Sequence, residues 1–332
     1  MSEGAPIALQ DRRVAVTGAN GFIGSAVCRA LAAAGADVVG VEVALDHEAA
    51  LRASGVEPRI ADVVDREAVT RALVDAELVV HCAAYVREWG PMEDFMRVNV
   101  QGTANVMDAA EAAGAERVVQ VSSVVVYGYE DESRQEEDAF RRAVGVPYID
   151  TKSASDALAA RRGAVVVRPG DVYGPASIPW LVRPVQLMAS RRFAVPNRGE
   201  GTMLPVYVDD LVDGIVLALR SGNPGRSYTV WDGQDVTFSD YYGRLAQELG
   251  LREPAALPKP LLFAGAAVLE GLAKLRGAPP EFGRHGVTFL DRRGTASNRR
   301  AREELGWSPS MELPEGIRRS ADWIRTEGIL SG

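Results

Sequence analysis

Three glycines at intervals of three, where a β-branched run gives way to an alanine-rich one, restrict this chain more than any other feature. The segment reads Val14-Ala15-Val16-Thr17-Gly18-Ala19-Asn20-Gly21-Phe22-Ile23-Gly24. A short unbroken apolar run suits a strand buried on both faces, and the stretch from Ser25 to Ala34, closed by Gly35, suits a helix. The first glycine permits a tight turn, the second lets backbone approach a pyrophosphate, and the third lets helix and strand pack closely. The N–H groups and positive dipole end of the helix would face the phosphates. Gly18, Asn20, Gly21, Phe22, Ile23 and Gly24 are therefore expected to line a dinucleotide.

The alternation continues. Strands are expected at Val38–Val43, near Pro58–Ile60, at Leu78–His81, at Val118–Val121 and at Ala164–Val167. Helices are expected at Arg66–Val74, at Met92–Ala113 and around Tyr148–Ala160. Such order predicts an α/β fold, a Rossmann-type doubly wound parallel sheet. After Pro169 prolines become frequent and strands shorten, which predicts a smaller, interleaved C-terminal substrate lobe. The expected division is residues 13–170 with about 206–235 for the dinucleotide domain, and 171–205 with 236–330 for the lobe. A helix at Asp209–Arg220 and a strand at Tyr228–Trp231 are expected to return to the sheet layer, and helices at Asp240–Leu249, 261–275 and Pro314–Arg325 are expected in the lobe. Glu130 to Asp138 reads as an acidic, solvated loop.

Glu42 ends the second strand, 18 residues after Gly24. A carboxylate there accepts from adenosine ribose hydroxyls and repels a 2′-phosphate. The first arginine beyond it is Arg52. The pattern thus favours NAD over NADP. Asp62 and Val63, after the third strand, are candidates for the adenine edge, although an acid at a helix N-terminus serves the helix equally well.

Tyr148 and Lys152 stand four residues apart in Pro147-Tyr148-Ile149-Asp150-Thr151-Lys152, and Lys152 is one of three lysines in 332 residues. A free phenol titrates near ~10. A lysine one helical turn away lies on the same face, and its charge is expected to favour the phenolate. Other chemistries find little support. His47, His81 and His285 show no metal-ligand spacing, and His81 ends an apolar strand as a core histidine would. Ser122-Ser123 lacks the Gly-x-Ser-x-Gly context of a hydrolase.

These segments, with His81-Cys82-Ala83-Ala84, Asn99-Val100-Gln101-Gly102-Thr103, Tyr127-Gly128, Arg168-Pro169-Gly170-Asp171-Val172-Tyr173-Gly174-Pro175 and Leu305-Gly306-Trp307-Ser308-Pro309, resemble the extended short-chain dehydrogenase/reductase family in its order. The likeness covers roughly residues 13–215. It implies that Ser123, with Ser122 as the alternative, hydrogen-bonds the reacting oxygen, and that Tyr148 exchanges a proton with it. It implies that Lys152 holds the nicotinamide ribose. Pro169, Gly170 and Val172 would lie along the nicotinamide, and Cys82, Ala83 and Ala84 along the pyrophosphate and ribose. Asn99 would brace the site or a water there, or serve structure alone.

Three departures bear on the substrate. Asp171 stands where nucleotide-sugar members often carry Asn, Gly201 to Asp210 contains no cation, and Val124-Val125 follows Ser123 where dehydratases place Asp-Glu. Diphosphates are held by charge-assisted bonds, for which Arg183, Arg191, Arg192 and Arg198 remain candidates. The lobe offers Trp180, Leu181, Phe193 and the apolar 261–275 helix; that helix, followed by Gly277-Ala278-Pro279-Pro280, is similar to the corresponding region of 3β-hydroxysteroid dehydrogenase-like and dihydroflavonol reductase-like members. Those residues would line a pocket, pack the lobe or form an interface.

The expectation is an NAD-dependent oxidoreductase interconverting a secondary alcohol and a ketone on a bulky apolar molecule. A nucleotide-sugar 4-epimerase or dehydratase with recycled NAD is the second reading. A non-catalytic nucleotide sensor is the third, and the tyrosine–lysine pair argues against it. Net charge of −8 without a basic run excludes a nucleic-acid partner. Cys28 and Cys82 sit in apolar segments as reduced core residues. No signal-like segment or membrane span is read, so a cytoplasmic location is expected; the family resemblance implies a homodimer paired through the 92–113 and 148–160 helices.

Overall fold

The structure is a computed structural model, and it describes residues 5–44, 48–87, 89–129, 133–139, 142–277 and 283–330. His47, the Glu130 end of the acidic stretch, and residues 278–280 of the Gly-Ala-Pro-Pro segment lie outside them. Seven parallel strands form the central sheet: β1 (Arg13–Thr17), β2 (Asp37–Glu42), β3 (Val56–Ile60), β4 (Leu78–His81), β5 (Arg117–Val121), β6 (Val165–Pro169) and β7 (Ser227–Val230). Their order across the sheet is β7-β6-β5-β4-β1-β2-β3. Strand order reverses between β1 and β4, and the crevice outside the C-terminal ends at that point is where open α/β sheets bind ligands.

Both faces of the sheet are covered. One core gathers Val14, Val16, Leu31, Val38, Val80 and Val119 with the helix Val208–Ser221, and the other gathers Ala15, Val39, Val79, Val106, Ala110 and Val166. Alternate residues of each strand thus face opposite cores, which explains the unbroken apolar runs in the sequence. Trp180, Phe193, Phe238, Tyr241, Tyr242 and Phe289 pack together as the aromatic centre of the lobe.

Three expectations change. The helix after the glycine turn runs Phe22–Ala33, starting three residues early, because extended Gly21 delivers the chain straight into it. The expected Met92–Ala113 helix is broken into Met92–Phe95, a π-helical segment Met96–Gln101 and Gly102–Ala112. The acidic stretch is not a solvated loop where it is described. Arg134–Gln135 pairs with Thr295–Ala296, and Glu137 is buried, accepting from the Arg300 N–H at 3.0 Å, while Asp138 pairs with the Arg300 guanidinium at 2.6 Å. Cations brought from 160 positions away are invisible to local charge counting.

Candidate active site

The glycine turn is closed by backbone. Gly18 has φ +72°, and a Cβ there would stand 2.8 Å from the Ala83 nitrogen. A Cβ on Gly24 would stand 2.0 Å from the Gly18 carbonyl oxygen. The turn therefore lies against the Cys82-Ala83-Ala84 segment leaving β4, and Cys82 N–H donates to the Thr17 carbonyl at 3.1 Å. Ala84 is half-buried beside it. Starting the helix at Phe22 turns the N–H groups of Phe22, Ile23 and Gly24, the first of the helix and without intrahelical partners, toward the crevice.

Glu42 bends back to this turn: its Oε1 accepts from the Asn20 N–H at 2.6 Å. The other oxygen has no hydrogen bond among the described residues, and Asn20 Oδ1 is buried and unpaired. Two acceptors side by side, a turn admitting only glycine, and a free helix N-terminus fit the adenosine, ribose and pyrophosphate of a dinucleotide. Asp62 is exposed and accepts from the Val64 N–H at 3.0 Å. Val63 is buried against Gly102, and its carbonyl accepts from Asn105 Nδ2 at 2.9 Å. Asn105, which pins this segment, carries no sequence signal of its own.

The residues expected to carry the chemistry lie between β5 and the Pro147–Arg161 helix. Proline at the first helical turn fits its missing N–H. Asp150 fixes the approach by accepting from the Val144 and Gly145 N–H groups at 2.7 and 3.1 Å. Ser123 is extended just beyond β5, where its hydroxyl accepts from the Val125 N–H at 3.3 Å and lies near enough to Tyr148 to act on its phenol. Burial pushes the Tyr148 phenol up to about 12, and the Ser123 hydroxyl pulls it down. Lys152 does not bring the expected lowering, because its ammonium is turned to the sheet: Lys152 Nζ donates to the Val121 carbonyl at 2.8 Å. Burial lowers Lys152 to about 8, opposed by the Asp156 carboxylate one turn further on.

Behind these groups stands a buried network. Arg168 grips Asp156 with Nε at 2.8 Å and Nη2 at 2.9 Å, and its Nη1 donates to the Tyr127 hydroxyl and the Glu137 carbonyl. Ser122 donates to Asp156 at 2.6 Å, so its hydroxyl is committed to this network while Ser123 faces Tyr148. Tyr127 reaches Thr229 of β7 at 2.9 Å. Asn99 accepts from the Tyr85 N–H at 2.6 Å and donates to Thr151 at 3.1 Å, bracing the loop after β4 against the helix of Tyr148 and Lys152. The π-helical segment places it there, as such insertions commonly do at functional sites. His81 is a satisfied core residue: its nitrogens meet Thr17 at 2.6 Å and Thr103 at 3.1 Å, and burial lowers it to about 3.

Pro169 ends β6, a Cβ on Gly170 would stand 2.1 Å from the Leu204 carbonyl, and Val172 pairs with Val206. Between them Asp171 is buried and forms an ion pair with Arg292. Arg292 lies flat on Phe289, 4.2 Å from its centroid, and its Nε donates to the Thr202 carbonyl at 2.9 Å. The cation beside the uncharged 202–206 stretch thus arrives from 90 residues downstream, and none of the four arginines named from sequence occupies its place. Tyr129 stacks on His285 at 5.4 Å and meets Phe289 edge-on at 5.1 Å. Burial raises the Tyr129 phenol; Arg292 opposes this, while Tyr148 and Asp171 reinforce it, so all four lie within one electrostatic neighbourhood. The wall facing Tyr148 is therefore aromatic, with a cation neutralised by its own carboxylate. A larger surface hollow of about 500 Å³ beside Trp231, Arg299 and Arg302 includes none of these reaction-centre residues.

Residues 14–231 match the model of the NAD dependent epimerase/dehydratase family. A 2-alkyl-3-oxoalkanoate reductase of Stenotrophomonas maltophilia is 26% identical over 92% of this chain and 98% of its own length. Sterol demethylase protein B of Methylococcus capsulatus is 30% identical, over 95% and 99%. Among solved structures, MoeE5 in complex with UDP-glucose and NAD superposes with a TM-score of 0.75 at 26% identity, covering 95% of this chain and 99% of that one.

Proposed function

Because the chain belongs to the NAD-dependent epimerase/dehydratase family, we propose that it is an NAD-dependent oxidoreductase interconverting a secondary alcohol and a ketone on a bulky, mostly apolar small molecule. The observation that carries this reading is the Asp171–Arg292 pair. A nucleotide diphosphate needs charge-assisted donors. Here the cation nearest the aromatic wall is already neutralised and stacked on Phe289. Tyr129, His285 and Phe289 offer flat apolar faces instead. The two relatives named as a 2-alkyl-3-oxoalkanoate reductase and a sterol demethylase protein agree with an apolar substrate.

Bound NAD supplies the hydride exchange at its nicotinamide ring. The protein supplies placement and the proton. The Ser123 hydroxyl acts on the Tyr148 phenol from close by, so an oxygen seated between them meets two donors at once. A phenol near 12 is protonated at neutral pH, and Tyr148 is accordingly ready to give its proton to a carbonyl oxygen. In the reverse direction it takes the hydroxyl proton. Lys152, near 8, is mostly charged at neutral pH. Of its three donors, one is used by the Val121 carbonyl, which leaves two for the ribose hydroxyls. Pro169, Gly170 and Val172 border the nicotinamide, and Glu42 holds the adenosine ribose, which favours NAD over NADP.

The test is to supply the protein with NADH and apolar β-keto compounds, or NAD and hydroxysteroids, and follow the nicotinamide absorbance. Turnover with apolar ketones is expected. Silence across the panel, together with interconversion of a UDP-sugar without net NADH, would establish the second reading, an epimerase with recycled cofactor. The UDP-glucose complex of MoeE5 makes that the reading to exclude.

A further inference from the structure

The helix Lys259–Arg276 is mounted with its greasy side outward. Its chief packing partner is the helix Arg284–Leu290. The stripe turned toward that helix is Leu262, Ala266, Glu270 and Ala273, mostly small or polar. Glu270 accepts from the Arg284 N–H at 2.7 Å and from Arg284 Nε at 2.8 Å. The large side chains lie on the other side: Leu261, Val268, Leu269, Leu272 and Leu275 are 60, 62, 43, 42 and 85% exposed. Pro260, Ala264, Gly265 and Gly271 fill the gaps between them with further uncharged surface. A surface helix ordinarily turns such residues inward, and a contiguous outward patch marks an interaction site.

Charge identifies what covers it. The helix carries Lys259, Lys274 and Arg276 against the single acid Glu270, and that acid is turned inward and neutralised by Arg284. Its outward side has no carboxylate, although the whole chain has a net charge of −8. Two of the chain's three lysines are on this one helix. Spaced at about 100° per residue, Arg276 falls between Leu269 and Leu272 on the outward side, and Lys274 falls on the flank next to Glu270. Their stems can lie along the apolar surface while their charges reach outward. Lys259 is paired with Asp291 at 2.8 Å, so the remaining cations gather at the C-terminal end, and a second copy packed in parallel would set them against each other.

We infer that this helix docks the protein on an anionic lipid bilayer, lying in the plane of the headgroups with Leu261, Val268, Leu272 and Leu275 immersed. No helix among the described residues is long and apolar enough to cross a membrane, so the contact is peripheral. The neighbouring helix carries His285 and Phe289 to the Tyr129 wall, and Gly283 at its start packs on Trp89 of the loop after β4. The lipid surface is therefore one helix away from the substrate wall. The inference goes beyond the apolar-substrate reading and does not need it, since its test measures binding without turnover.

The full chain is mixed with vesicles of phosphatidylcholine alone, or with about 30% phosphatidylglycerol, and floated on a density gradient. Flotation with the anionic vesicles only is expected, weakened by high salt. Leu272→Glu should abolish it, and Lys274→Gln and Arg276→Gln should each weaken it about fivefold. Circular dichroism and dinucleotide binding identify any variant that has misfolded, and the two surface substitutions keep the test valid should Leu272→Glu do so. Failure of the native chain to float, or flotation indifferent to the charge substitutions, overturns the inference. So does a dimer in sedimentation that Leu272→Glu dissociates, which would assign the face to a second copy.

Discussion

The two walls of the crevice are made of different material. On the dinucleotide side, contacts are backbone on backbone: Gly18 against Ala83, Gly24 against the Gly18 carbonyl, and an Asn20 N–H on Glu42. On the substrate side they are side chains from remote segments: Asp171 with Arg292, Arg292 on Phe289, Tyr129 on His285. A wall of backbone tolerates few sequences. A wall of side chains can be rebuilt one residue at a time, so it is where the substrate is chosen.

Substitutions on the two sides should therefore separate cleanly. Tyr148→Phe, at the boundary, has the largest expected effect: alcohol–ketone turnover falls by about 10²–10⁴-fold, while dinucleotide binding followed by fluorescence stays unchanged. Equal loss of both would erase the distinction. Asp171→Asn leaves Arg292 buried without its counter-charge, which costs about 3 kcal/mol in urea unfolding. It should also let uridine diphosphate bind where the native chain does not.

Lys152→Met sharpens the boundary through pH. The folded pKa of Lys152 is depressed from 10.5 to about 8, so its contribution to stability is present above 10.5 and lost as pH falls through 8. Without dinucleotide, the methionine variant should gain on the native chain by about 3 kcal/mol between those limits, read from unfolding curves at each pH. A pH-independent difference would contradict the burial assigned to Lys152. Gly24→Ala should cost about 1–3 kcal/mol and weaken dinucleotide binding without altering substrate preference. The smallest effect is expected of Phe289→Ala, a rise of about tenfold in KM for apolar ketones, near 1.4 kcal/mol, with kcat nearly unchanged.

The same contrast explains what could be read before the fold was known. The glycine turn, Glu42, Ser123, Tyr148 and Lys152 lie in short segments whose spacing mirrors their geometry. The sheet was legible because strands buried on both faces leave unbroken apolar runs. Arg292 was not, since nothing in Asp291-Arg292-Arg293 says that it crosses 121 positions to Asp171. The π-helical segment around Asn99 escaped because periodicity over a long helix averages out one added residue per turn. Burial of Glu137 escaped because its partner, the Arg300 N–H, lies 163 positions on.

The Tyr127–Thr229 hydrogen bond, which spans 102 positions, also bears on how the protein comes into being. Ser123, Tyr148 and Lys152 leave the ribosome within thirty residues of one another, long before Thr229. A nascent chain therefore holds its reactive groups before the last strand arrives to back them. Chains released between residues 153 and 226 should carry every reacting side chain and yet be inactive. On the proposed reading competence requires β7 at the sheet edge and, later still, Arg292 beside Asp171, so the order of synthesis would keep unfinished copies silent.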